Sequence, residues 1–153
     1  MKIVFIIISV LTGLALILLL VFGKYSQKGQ ATGLVNDSLS KCSENPNCVC
    51  SEHPDDILHF IEPFTHLKED KGVDMTKVIS VIKDMDGIIS SVKDNYISAT
   101  FSSSIFGFVD DFEIRADPAH GVLHFRSASR VGYSDGGVNQ KRVVLFKKLY
   151  RDK

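Results

Sequence analysis

The sequence predicts an α+β protein: an N-terminal transmembrane helix, then a small domain with an antiparallel sheet packed by two helices. Three observations carry this. A long apolar run opens the chain. Apolar residues recur at spacings of three and four in 74–95 and again after residue 139, the helical period. Between those stretches, alternating segments flank a turn-rich connection, the strand period.

Ile3 to Phe22 contains only three residues that are not apolar, Ser9, Thr12 and Gly13, and no charge occurs between Lys2 and Lys24. At about 1.5 Å per residue such a helix reaches the roughly 30 Å of a bilayer core. A cleaved signal is the rival reading, but signal cores are shorter, about 7–15 residues. Residues 1–23 are therefore expected to be a retained signal-anchor. Basic residues on the two sides are nearly balanced, and the positive-inside count does not decide orientation. An N-terminal signal-anchor usually exports the domain C-terminal to it, and the cysteines favour the same side. The expectation is a single-pass protein of the cell membrane with its C-terminal domain on the extracytoplasmic, periplasmic side.

Lys24 to Asp37 is polar, contains glycine and lacks periodicity, so it reads as a tether. Residues 38–153 then form the exported α+β domain. It begins with a cysteine-bearing loop over 38–53, and 59–67 contains Pro63 and short apolar pieces suited to an extended crossing. Asp74 to Asn95 reads as one helix with Asp74 as N-cap; Val78, Val81, Ile82, Met85, Ile88, Ile89 and Val92 make its stripe. Gly87 weakens its interior by about 1 kcal/mol relative to Ala.

Tyr96 to Phe101 is a short strand, and Phe106 to Arg115 and Val122 to Arg130 flank the turn-rich 116–121 segment. Pairing Arg115 with Val122 sets Glu113 opposite His124, Asp111 opposite Arg126 and Phe112 opposite Phe125. One face is then apolar and the other carries opposite charges. Asp110 falls on the apolar face near Ser127, where an unpaired carboxylate would be costly. Asn139 is positioned to cap a last helix running to about Arg151, with Val143, Phe146, Leu149 and Tyr150 on one side.

The chain has 18 basic and 18 acidic side chains, a balance unlike that of a nucleic-acid binder. Cys42, Cys48 and Cys50 lie within nine residues. In an exported domain they read as a structural Cys42–Cys48 disulfide plus one leftover thiol; a site built from three thiolates and His53, or redox-active thiols, is the alternative. No cofactor or metal is expected.

The second cluster is Arg126, Ser127, Ser129, Arg130, Tyr133, Asp135, Asn139 and Arg142, with Asp110 nearby. Guanidinium groups and a helix N-terminus suit an anion, and Arg126 and Arg130 share one strand face. The competing reading is internal, Arg126 pairing with Asp111 while Arg130 and Arg142 pair with Asp110 or Asp135. Catalytic signatures are weak. The serines lack a G-x-S-x-G elbow, and His124 beside Glu113 reads more readily as a surface pair.

The motif Cys42-Ser43-x-x-Pro46-Asn47-Cys48-Val49-Cys50-Ser51, with the string from Arg126 to Arg142 and the Asp110-Asp111-x-Glu113 segment, resembles the domain-of-unknown-function 1499 family. The resemblance covers roughly residues 38–150. It implies a small exported or membrane-attached protein of the kind found in bacteria and plastids, and no activity. The sequence departs from the pattern at Gly136, where a larger apolar residue is common, and in lacking a tryptophan in its long helix. The expected function is a membrane-anchored binding or interaction module using the Arg/Ser/Gly/Asn-rich motif for a small anionic ligand or an envelope protein. The alternatives are a hydrolase-like enzyme with its site near Asp110 and His124, or a purely structural clasp. The balance leans away from an enzyme.

Overall fold

The computed structural model describes residues 1–65 and 73–153. The elements are α1 (Lys2–Ser26), β1 (Leu34–Val35), β2 (Ser38–Leu39), β3 (Cys48–Cys50), α2 (Met75–Asp84), β4 (Ile88–Lys93), β5 (Tyr96–Ser102), β6 (Val109–Asp117), β7 (Val122–Ser129) and α3 (Val138–Asp152). β3-β7-β6-β5-β4 form one antiparallel sheet, and β1 pairs with β2 beside it. The α+β class and the two packing helices are as expected.

α1 is long and apolar enough to cross a membrane, with a mean hydropathy of 3.1. Residues 24–37, read as a tether, lie on the domain. Ser26 Oγ accepts from Val109 N (3.1 Å), Gln27 Nε2 donates to Gly107 O (3.2 Å), and Gly33 N donates to Glu113 Oε1 (2.8 Å). Gly23 is required here, because a Cβ at that position would sit 1.8 Å from the Phe106 carbonyl oxygen.

The helix expected over 74–95 stops at Asp84. Its start is as read, since Asp74 accepts from Thr76 N and Lys77 N. Its end is earlier because Asp86 takes φ +63° and Gly87 follows. The β-branched run Ile88-Ile89-Ser-Ser-Val92 then pairs with β5 as β4, an edge strand. The second strand expected, over 106–115, starts later, because 103–108 is a turn closed by Gly107 N to Ser103 O (3.1 Å) and Ser103 N to Phe108 O (2.8 Å). The crossing expected at 59–67 is extended at Phe60 and Phe64, which bridge Cys50 and Leu123; its last two residues lie outside the described ones.

The hairpin register is displaced by two residues from the expected one. Arg115 faces His124, Glu113 faces Arg126 and Ile114 faces Phe125. β6 runs on to Asp117, leaving Pro118 to Gly121 as the loop, with Gly121 at φ +62°. A two-residue displacement preserves which face each side chain occupies, so alternation does not distinguish the two registers.

One sheet face is apolar and covered by α2 and α3. Phe112, Phe125 and Phe146 meet there with ring centroids 5.4–6.2 Å apart, over buried Val78, Val81, Ile82, Ile97 and Val143. The other face carries Asp111, Glu113, Arg115 and Arg126 and is covered by the segments around α1's end, β1–β2 and the cysteine loop, where Leu39, Cys50 and Tyr96 form a small apolar cluster.

Candidate functional site: a two-sided polar motif and a cleft beside α1

Adjacent residues of a strand point to opposite faces, so the contiguous Arg126–Arg142 string divides between the two sides of the sheet. On the first side, Glu113 is fully buried and accepts three hydrogen bonds, from Tyr96 Oη (2.7 Å), Arg126 Nη1 (2.7 Å) and Gly33 N (2.8 Å). Burial, then the neighbouring Glu113 carboxylate, holds the Tyr96 phenol protonated far above its ordinary range. Arg130 clamps Asp111 with two bonds (2.9 and 2.7 Å) and reaches back to the Ser26 carbonyl (3.1 Å). Arg115 donates from both Nε and Nη2 to a single oxygen of Glu52, Oε1.

These partners differ from those expected. Arg126 takes Glu113 in place of Asp111, a direct result of the register, and Arg130 takes Asp111 in place of Asp110 or Asp135. His124 does not pair with Glu113; its Nδ1 lies 3.2 Å from Ser51 Oγ, which itself accepts from Phe125 N (2.8 Å). Burial lowers the His124 pKa, because the imidazolium would be poorly solvated there.

On the second side, Asn139 is the centre. Its Oδ1 accepts from Ser127 Oγ (2.6 Å) and from Arg142 Nη1, and its Nδ2 donates to the Asn47 carbonyl (2.9 Å) and Ser129 Oγ (3.0 Å). Arg142 also bonds Ser127 Oγ (2.9 Å) and Asp110 Oδ2 (2.7 Å), with its guanidinium 4.6 Å from the Phe101 ring centroid. Asn139 is not the helix cap. That role falls to Asp135, whose carboxylate accepts from Gly137 N (2.9 Å) and Asn139 N (2.6 Å) while Gly137 occupies the cap position.

Thus Ser127, Ser129, Asn139, Arg142, Asp110 and Asp135 come together, and Arg126 and Arg130 do not join them. Tyr133 stands 73% exposed away from both layers. Asp110 and His124 point to opposite faces of the sheet, so no common site unites them. Asn47, Glu52 and Tyr96 belong to the networks although sequence reasoning had not singled them out. Asn47 stood inside the cysteine motif, whereas nothing local marked Glu52 or Tyr96 as partners of distant side chains.

The paired Asp110 and Arg142 open onto a cleft of about 570 Å³, within the roughly 300–1,000 Å³ usual for small-ligand sites. Its walls come from the β5–β6 turn (Ser102, Ser103, Phe108), the segment after β7 (Val131, Gly132, Ser134), the start of α3 (Val138) and Leu19 of α1. Cys42 and Cys48 form a disulfide, so a site using all three thiolates is not available. Cys50 remains free and buried, and burial pushes its thiol pKa up.

An apolar helix joined to an α+β domain, in which ion pairs lock the N-terminal segment, hairpin and last helix together, defines the structural class. The sequence matches the family described as Protein of unknown function (DUF1499) over residues 38–149, and the chain belongs to that family. A comparison with curated proteins finds no match.

Proposed function

We propose that the protein is a membrane-anchored, extracytoplasmic binding module whose ligand site is the cleft between Arg142–Asp110 and the last turns of α1. The observation that carries this is the position of that cleft: a roomy, mostly apolar concavity with one ion pair in its wall, bordered by the apolar helix itself. The length and hydropathy of α1 support anchoring. The Cys42–Cys48 disulfide suits an oxidising compartment.

Charge refines the ligand. Arg126 and Arg130 are neutralised on the far face by Glu113 and Asp111, and a simple anion would have to displace Asp110 from Arg142. The cleft wall offers a carboxylate, a guanidinium and serine hydroxyls together. Such a set favours a head group with both charges, or one rich in hydroxyls, over a bare anion.

The test is a thermal-shift series on the full chain in detergent, with inorganic phosphate, glycerol and dihexanoyl phosphatidylcholine as probes, beside Asp110→Asn. A ligand at a hundredfold its dissociation constant adds about 2.7 kcal/mol. The expected result is a rise with the phosphatidylcholine that Asp110→Asn loses. If no probe shifts the protein, the polar layers act as a structural clasp alone and the binding reading falls.

A further inference from the structure

We propose that the cleft holds a membrane lipid lifted partly out of its leaflet, its head group at Asp110–Arg142 and its acyl chain running down past Phe108 and Leu19 into the bilayer. This rests on the reading of α1 as a membrane anchor, and it names the ligand class of the proposed site.

The geometry begins with depth. Leu19 lies seven residues before the end of α1 at Ser26, about 10 Å along the helix axis at 1.5 Å per residue. It falls inside the apolar run that ends at Phe22, so a membrane reaching Phe22 wets Leu19 with hydrocarbon. Yet Leu19 also lines the cleft of the folded domain. It is 38% exposed, against 51% for Leu20 and 57% for Val21, because the domain covers one side of the helix at this level. A single cavity therefore reaches from the depth of lipid chains to a partly buried ion pair.

The mouth of that cavity is held to the helix. The Gly23–Phe106 approach, the Ser26–Val109 bond and the Gln27–Gly107 bond hold the β5–β6 turn against the last turns of α1. From Phe101 to Val109 the chain carries no charge, and Ile105 at the turn is 79% exposed. An uncharged turn with a protruding isoleucine beside a membrane helix suits the interfacial layer, where apolar side chains enter the head-group boundary. Tyr25, also exposed, sits just beyond the apolar run, the level at which tyrosines collect in membrane proteins. Along the cavity the apolar walls of Leu19, Phe108, Val131 and Val138 suit a hydrocarbon chain, and the far end offers hydrogen-bond donors and acceptors. A wholly polar ligand would leave those apolar walls uncovered, and an alkane would leave the polar end without a partner.

The chain contains no tryptophan, so single-tryptophan variants of the full protein are clean reporters. Phe22→Trp reports the anchor, Phe108→Trp the cleft mouth, Val138→Trp the α3 wall, and Ile57→Trp the remote segment that follows the cysteine loop; Val131→Trp is a second inner-wall reporter should Val138→Trp misfold. Each is reconstituted into phosphatidylcholine vesicles with or without bromines near the ester end of the acyl chain. Loss of most emission by Phe22→Trp, Phe108→Trp and Val138→Trp, with Ile57→Trp unchanged, is the expected result. If Phe22→Trp and Phe108→Trp are quenched but neither inner-wall reporter is, the turn merely rests on the bilayer and the lipid proposal is overturned while the anchor stands. If Phe22→Trp keeps its emission, the anchor reading falls and the proposal falls with it.

Discussion

Removing the Arg126 guanidinium should unfold the protein far more readily than removing a surface charge would. Arg126 is 8% exposed and Glu113 is fully buried, with 2.7 Å between Nη1 and Oε2. In Arg126→Ala the carboxylate keeps the Tyr96 hydroxyl and the Gly33 amide but loses its only charged partner among the described residues. Breaking one side of a buried pair costs about 3–5 kcal/mol. For a domain of this size, at about 4 °C per kcal/mol, the melting temperature should fall by roughly 12–20 °C. The assay is thermal and urea unfolding of the full chain in detergent, followed by circular dichroism. The double variant Arg126→Met/Glu113→Gln should recover most of the loss, because Gln retains an acceptor and Met fills the volume of a guanidinium whose Nε has no hydrogen-bond partner among the described residues. A fall of less than about 1 kcal/mol in Arg126→Ala, the range of exposed pairs, would refute the reasoning.

The same geometry sets four other outcomes. Since burial lowers the folded-state pKa of His124, the unfolded chain binds its proton more readily. Stability from this group is therefore complete above about pH 6.5 and is lost as pH falls through the folded value. Unfolding between about pH 7 and 5 should show that slope, and His124→Gln should flatten it. Cys50, buried with its thiol pKa raised, should resist iodoacetamide in the native protein at about pH 8 and react once urea unfolds it. Cys42→Ser/Cys48→Ser should cost about 2 kcal/mol, the chain-entropy value for so short a loop, as read from denaturation midpoints. Asp74→Ala should lose about 1 kcal/mol with the two cap bonds of α2, measured in the same urea titration.

How much of the fold the sequence disclosed depends on which physical signals are local. The apolar helix, the Asp74 cap and the side-chain alternation of the hairpin are local patterns, and each reappears in the structure. The two-residue register displacement was hidden because alternation has period two; only loop length and the distant partners of Glu113 and Arg115 select between the registers. The extra length given to α2 arose because Ile88, Ile89 and Val92 satisfy a three-and-four spacing as well as a β-strand does. Asp86 and Gly87, next to that β-branched run, held the information that separates them. Of the candidate site, Asn139 and the five residues around it were legible as a polar group. Their separation from Arg126 and Arg130 comes from the strand geometry, which sends neighbouring residues to opposite faces.

That division explains why so dense a polar motif need not be one binding site. Ser127 faces α3 while Arg126 faces the N-terminal segment, so one short strand ties two layers to opposite faces of the same sheet. Glu113 holds Gly33, Arg130 holds Ser26, and Asn139 holds the Asn47 carbonyl of the cysteine loop. Each bond spans many residues of sequence, and together they set how the end of α1 meets the domain. The effect reaches the cleft: its Leu19 wall is in place because Gly23, Ser26 and Gln27 are seated against Phe106, Val109 and Gly107. The ion pairs Arg126–Glu113 and Arg130–Asp111, through Gly33 and Ser26, thereby help to position the cleft proposed as the ligand site.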